Sequence, residues 1–298
     1  MKIKTILLVI LLCLAPHLAA ADESVINLIE NPSAECAFAE GSSILEIVFP
    51  RVHSSDCAIL RIDDQVMMID ASTPGAKMQA RIKSALEAMN VTHVDIAFNT
   101  HPHNDHIGGF SSVYETAPFD VIQVAFPEDF NKYMVDALEF ARANNVEIQH
   151  VHDGDTLTLG EAGQVAMHVI QRDGVKWSEN DQSAMLMIIY GERSILFSAD
   201  IENHAQADYA ANPPPCGIDA DILKYPHHGI VRMNSDFFNA VSPEIVFTNG
   251  GLDSGRSGRD YLKRKKQPYL VGYKGLTRMR TDGRIWVIDY LEEIVTDR

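Results

Sequence analysis

A mixed α/β chain folded as one compact domain is expected, on three observations. Of the 298 residues, 46% are hydrophobic and 22% charged, which excludes a disordered chain and is ample for a sizeable core. Short apolar runs recur along the chain, with helical patterns between some of them. No internal repeat, low-complexity tract or long linker divides it, so residues 22–298 read as one domain.

Strands are expected at Ile44–Phe49, Ala58–Ile62, Val66–Ile69, Val94–Phe98, Val121–Ala125, Val165–Ile170, Ala184–Tyr190, Ser194–Phe197, Ile222–Tyr225, Glu244–Phe247 and Ile285–Ile288. Each is a short apolar run. Over Ala76–Asn90, Met78, Ile82, Ala85 and Met89 fall on one face at helical spacing. Weaker helical patterns cover Val135–Ala143 and Glu202–Ala211, and Pro213-Pro214-Pro215-Cys216-Gly217 reads as a turn.

Ahead of these, Met1-Lys2-Ile3-Lys4 is basic, Ile6 to Leu14 is apolar and Leu18-Ala19-Ala20-Ala21 offers small residues for cleavage. This predicts a secretory signal peptide over residues 1–21, hence a secreted or periplasmic protein. The apolar stretch is too short to span a bilayer, and the mature chain holds no such span. Cys36, Cys57 and Cys216 then remain, allowing one disulfide and one free thiol, or three small buried hydrophobes.

The net charge of -16 argues against a general nucleic-acid coat protein. A local exception is Lys263-Arg264-Lys265-Lys266, between Tyr261 and Tyr269. It reads as a solvated loop, with nucleic-acid contact or steering of an anionic substrate as the alternatives.

The most informative segment is Asn99-Thr100-His101-Pro102-His103-Asn104-Asp105-His106-Ile107-Gly108-Gly109, between a strand and a probable helix. Three imidazoles and a carboxylate within six residues are a dense set of cation ligands. On a tight loop His101 and His103 can share one ion, while Asp105 and His106 turn toward a second. Gly108-Gly109 removes bulk where the loop passes the helix start. Two later strands end in ligands: Ser194 to Asp200 in a carboxylate, and Asp221 to Gly229 in His227-His228-Gly229. Phosphate-binding loops, serine elbows, Ser-x-x-Lys and His-Glu-x-x-His are absent from the sequence.

These motifs, in this order, resemble the metallo-β-lactamase-fold hydrolases. The resemblance is to the subgroup similar to the metal-binding domain of the DNA-uptake protein ComEC and to secreted phosphorylcholine esterases. It runs from about Ile44 to Ile288 and includes Met67-Met68-Ile69-Asp70, Asn180-Asp181-Gln182-Ser183 and Thr281-Asp282-Gly283. It implies an α+β fold, a four-layer αβ/βα sandwich with two metals at one edge, Asp70 supporting the metal loop. It implies further that His101 and His103 hold one ion, that Asp105, His106 and one of the histidine pair hold the other, and that Asp200 bridges. His228 is favoured as that ligand, with His227 facing the substrate; the reverse is the alternative. Many relatives carry a histidine where this chain has Glu179-Asn180-Asp181; Asn180 or Asp181 could supply an oxygen there, or water could fill the place. His168 could substitute, but lies in an apolar strand and reads as structural.

The implied cofactor is a pair of Zn2+ ions, with Mn2+ or Fe2+ as alternatives. Two such ions can share a water and lower its pKa toward about 7, making hydroxide available at neutral pH. Asp105 would ligate and relay a proton, and His227 would donate to the leaving oxygen. Glu202 reads as a solvated helix-start carboxylate, with contact to a cationic substrate group as the alternative. The expected function is a secreted metal-dependent phosphodiesterase or phosphoesterase acting on a small-molecule or phosphodiester substrate. A lactone or β-lactam hydrolase is the alternative within this chemistry, and a non-catalytic metal- or ligand-binding module the alternative outside it.

Overall fold

The computed structural model describes residues 26–28, 38–174 and 177–291. The segment read as a signal peptide and Cys36 lie outside the described residues. In chain order the first half runs β1 (Ile26–Leu28), β2 (Leu45–Phe49), β3 (Cys57–Ile62), β4 (Gln65–Ala71), α1 (Ala76–Ala88), β5 (Val94–Asn99), α2 (Asn104–Ile107), α3 (Phe110–Tyr114), β6 (Phe119–Val124), α4 (Lys132–Ala143) and β7 (Glu147–His150). The second half runs β8 (Thr156–Leu159), β9 (Val165–Ile170), β10 (Met185–Tyr190), β11 (Arg193–Phe197), α5 (Asn203–Ala211), β12 (Ile222–Lys224), a 3-10 turn (Pro226–Gly229), α6 (Ser235–Val241), β13 (Ile245–Thr248), α7 (Arg256–Lys265), β14 (Tyr269–Val271), a second 3-10 turn (Gly272–Lys274), β15 (Leu276–Thr281) and β16 (Trp286–Leu291).

Two mixed sheets result, ordered β1-β16-β15-β2-β3-β4-β5-β6-β7 and β14-β13-β12-β11-β10-β9-β8. Side chains alternate across each strand, so adjacent residues enter different cores. Ile47 and Phe49 of β2, and Met67 and Ile69 of β4, meet Met167, Leu186, Ile188 and Phe247 between the sheets. Val48 and Met68 point the other way, onto Ile82 and Leu86 of α1, Phe110 of α3 and Leu138 of α4. Met185 and Met187 of β10 face Ala205 and Tyr209 of α5, Phe237 of α6 and Leu262 of α7. Three cores separate four layers, the αβ/βα sandwich expected. Burial on both faces is why these strands read as continuous apolar runs.

The expected strands are present with ends moved by one or two residues, or three at the C-terminal end of β16, and Val165–Ile170 is unchanged. The strands not anticipated include β7 and β8, which lie at sheet edges and are partly exposed, so no apolar run marks them. The basic run is corrected. Lys263, Arg264 and Lys265 form the last turn of α7 and Lys266 its cap, where cations complement the helix dipole. Tyr261 is buried, with Lys265 over its ring at 5.8 Å, so it cannot stack on a base. Cys57 and Cys216 are not joined to each other. Among the described residues no helix is long and apolar enough to cross a membrane.

Candidate metal centre

Parallel strands β4, β5 and β6, and likewise β11, β12 and β13, run side by side through helical crossovers. The residues following their carboxyl ends meet at one edge of the sandwich, where open α/β sheets bind ligands. Asp70 comes from the end of β4, the His101–His106 loop follows β5, Asp200 follows β11, the histidine pair follows β12 and Asn249 follows β13.

Asp70 organises the loop. Its Oδ1 accepts from Asn99 Nδ2 at 3.0 Å and from the Thr100 N–H at 2.9 Å. Its Oδ2 accepts from the Thr100 hydroxyl and from His106 Nδ1, both at 2.7 Å. With Nδ1 of His106 committed, Nε2 is left to face the centre, the usual division of labour in a ligating imidazole. The loop is held from outside by Asn131, which caps α4 and donates to Pro102 O at 2.8 Å. A Cβ on Gly109 would lie 1.9 Å from Ala71 O, so only glycine allows this approach.

The remaining donors converge on Asp200 Oδ2. His106 Nε2 lies 3.2 Å away, His228 Nε2 3.1 Å and His101 Nε2 4.0 Å. Asp105 Oδ2 is 3.4 Å from His228 Nε2, and His101 Nε2 is 3.0 Å from His103 Nδ1. Four ligands at Zn–N distances of about 2.0–2.1 Å sit about 3.3 Å from one another, so all of these separations but the 4.0 Å from His101 to Asp200 match the edges of a zinc tetrahedron. His228 Nε2 and Asp200 Oδ1 are buried without a hydrogen bond. Unsatisfied buried groups of this kind are costly unless an ion fills the site. The donor set therefore fits divalent cations.

The structure brings together His101, His103, Asp105, His106, Asp200 and His228. Of the histidine pair, His228 is fully buried and His227 is partly exposed, its Nε2 3.8 Å from Asp200 Oδ2. Asn180 Oδ1, the atom that could supply an oxygen, is buried without a hydrogen bond. Asn180 Nδ2 donates to Glu202 Oε1 at 3.3 Å, and no hydrogen bond among the described residues joins it to His101 or His103. His103 Nε2 instead meets Glu179 Oε2 at 3.0 Å. Asp181 caps α5, accepting from the N–H groups of Glu202 and Ala205. Glu202 stands at the start of α5 as expected, partly exposed, and its Oε1 also lies 3.0 Å from His227 Nδ1. His168 bonds to Thr156 on β8 through Nδ1 at 2.9 Å.

Sequence reading missed Asp56, Lys224 and Asn249. Asp56 is buried behind the histidines, paired with Lys224 and accepting from Asn249 Nδ2. None carries a local motif; only the fold draws them together. Strained backbone accompanies the site, with positive φ at Asp70 (54°), Ala199 (46°), His227 (48°) and His228 (55°). Non-glycine residues hold this conformation only where surrounding contacts over-determine it.

Charge in the metal-free centre is uneven. Burial disfavours an imidazolium at His106, but Asp200 and Asp70 outweigh it and push the pKa up to about 10. Burial likewise opposes the charge on His228, and Asp200 and Asp56 carry its pKa well above the ordinary value. His101 goes the other way, kept neutral by burial and by the charge on His106. Burial raises Asp200, yet His228 and His106 hold it well below the ordinary carboxylate value. His106 therefore adds stability to the metal-free protein that is complete below its ordinary value of 6.5 and lost as pH rises toward about 10. His101 acts only below 6.5, outside that window. The melting temperature in chelator should fall steadily across it, and a level profile in calorimetry would contradict the charge assignment.

A model of the metallo-beta-lactamase superfamily matches residues 50–242, about two-thirds of the chain and the whole of this donor set. The chain belongs to the metallo-beta-lactamase superfamily. Similar folds include a protein described as a metal-dependent hydrolase from Parabacteroides distasonis, 15% identical with a TM-score of 0.51, covering 79% of this chain and 96% of that one. Another is a mutant of the CmlA beta-hydroxylase, 16% identical with a TM-score of 0.52, covering 82% of this chain and 54% of that one. At these identities the likeness is one of fold. No curated protein sequence matches the chain.

Proposed function

We propose that this superfamily member is a secreted metal-dependent hydrolase of phosphoric esters, favouring phosphodiesters. The observation that carries the metal-dependent part is the convergence of His106 Nε2 and His228 Nε2 on Asp200 Oδ2, beside Asp105. The phosphoester preference rests on the His227-His228-Gly229 ending and on Asn180-Asp181 standing where many relatives carry a third histidine. Both features resemble the ComEC and phosphorylcholine-esterase subgroup, to which we assign the chain. Fold alone does not set the reaction.

A pair of divalent cations held here would supply Lewis acidity and lower the pKa of a water toward neutral. His101 and His103 would hold one, and Asp105, His106 and His228 the other, with Asp200 between them. The chain's own groups do the rest. Asp70 and Thr100 keep the imidazoles turned inward. His227 stands on the accessible side, with Glu202 Oε1 3.0 Å from its Nδ1, placed so that Nε2 would deliver a proton to the leaving oxygen. Asn180 holds Glu202 in turn.

The zinc-loaded protein should hydrolyse bis(p-nitrophenyl) phosphate, lose activity to a chelator and regain it with zinc. Efficient turnover of a β-lactam or lactone, with none of the phosphodiester, would remove the phosphoester reading. His227→Gln is expected to lower kcat roughly 100-fold with metal content unchanged. Glu202→Gln should cost about tenfold, as loss of an orienting partner does. Equal rates in wild type and His227→Gln would deny the histidine its role.

A further inference from the structure

Behind the donor set lies a charge pair to which hydrolysis assigns no task. Lys224 closes β12 with its side chain 3% exposed and is ion-paired with Asp56. Its Nζ donates to Ala199 O at 3.3 Å and stands 3.9 Å from Asp200 Oδ1, the oxygen that lacks a hydrogen bond. Asp56 faces the opposite way as well. Its Oδ1 is 3.4 Å from His228 Nδ1, and its Oδ2 is 3.8 Å from His106 Nδ1. Asn249 Nδ2 donates to Asp56 and to Ser55 O, pinning the carboxylate.

Burying such a pair usually gains no more stability than an apolar pair of the same volume. Stability therefore explains it poorly, and its position suggests another use. The carboxylate sits behind two ligating imidazoles, while the ammonium sits behind the bridging carboxylate. Asp56, Asp70, Asp105 and Asp200 crowd four acids around the centre. Lys224 is the cation set against them.

We propose that Lys224 and Asp56 form a counter-charge pair that sets how tightly the centre holds its divalent ions. Asp56 strengthens the hold by adding negative charge behind His228 and His106 and by anchoring Asn249, whose Nδ2 also lies 3.3 Å from His228 Nδ1. Lys224 weakens it by placing positive charge behind Asp200. Both are positioning residues, since neither faces the open side. The inference rests on the metal reading above.

Zinc affinity of the full chain, measured by competition with a chromophoric chelator, tests it through the sign of the effect. Asp56→Asn should weaken zinc binding about tenfold or more, as loss of a partner to a ligating histidine does. Lys224→Met should tighten it about tenfold, because a repelling charge is gone. Lys224→Arg, which keeps the charge, should stay near wild type. A merely structural pair would weaken zinc in both neutral variants, and that result overturns the proposal. Should Lys224→Met fail to fold, the double variant D56N/K224M removes both charges together and should bind zinc close to wild type. A loss equal to that of Asp56→Asn alone would overturn the proposal in this arm. A wild-type chain that binds no zinc at all would overturn the metal reading and this inference together, whereas zinc-binding variants of unchanged affinity would overturn only the inference.

Discussion

Asp200→Ala is expected to empty the metal centre and abolish hydrolysis. Asp200 Oδ2 is the point on which His106 and His228 converge, within 3.2 Å of each. Removing it takes away the carboxylate placed between both candidate ion positions and leaves the Nε2 atoms of two imidazoles without the group they converge on. A Lewis-acid centre is worth several kcal/mol of transition-state stabilisation, and each 1.36 kcal/mol is tenfold in rate, so kcat/KM should fall roughly 1,000-fold or more. Elemental analysis should find the variant depleted of zinc while its circular dichroism stays native. Full zinc occupancy with unchanged turnover would be decisive against the centre as described.

The second large effect is expected at Asp70, and it acts on folding as much as on metal. Its two oxygens accept four hydrogen bonds, from Asn99, twice from Thr100 and from His106, and Asp70 and the three donor residues are all buried. Asp70→Ala leaves these donors without an acceptor. Such losses cost about 3–5 kcal/mol where a buried charged pair is broken. For a chain of this size that corresponds to a fall in melting temperature of roughly 6–15 °C. Zinc affinity should drop about 10–100-fold as His106 loses its orientation. Denaturation in chelator separates the two components, because the folding loss persists without metal. A melting temperature within two degrees or so of wild type in chelator would mean that Asp70 does not organise the loop.

Much of the donor set was legible because it is local. The six residues from His101 to His106 are adjacent, so their density stands out whatever surrounds them. Asp200 and His228 were legible as the ends of apolar strands, since a polar residue terminating such a run must face an edge rather than a core. The elements that escaped are those whose reason is remote. In α7 the segment Arg256–Lys265 is mostly polar and contains Gly258, so it reads as loop. It is helical because it packs on the histidine turn, and a Cβ on Gly258 would come within 2.8 Å of Gly229 Cα.

Asp56 and Lys224 make the same point for the site. Asp56 follows His53-Ser54-Ser55 with no recognisable pattern, and Lys224 interrupts an apolar strand as a lone charge would. They are 168 positions apart, yet they form a buried ion pair. Glu202 does stand at the start of α5, but because Asp181 accepts from the helix's first N–H groups, the Glu202 carboxylate meets His227, a contact only the fold supplies.

What the amino-acid order determined unaided was a mixed α/β domain, through short apolar runs with helical patterns between them, and a dense set of candidate cation ligands, through the spacing of His101 to His106. Which imidazole nitrogen points inward, which member of the His227-His228 pair is buried, and what balances the charge behind them were decided only in three dimensions. The physical reason is that pattern and spacing act over a few residues. Orientation and electrostatic balance, in contrast, depend on groups such as Asp70, Asp56 and Lys224 that reach the centre only once both sheets have closed over their shared core.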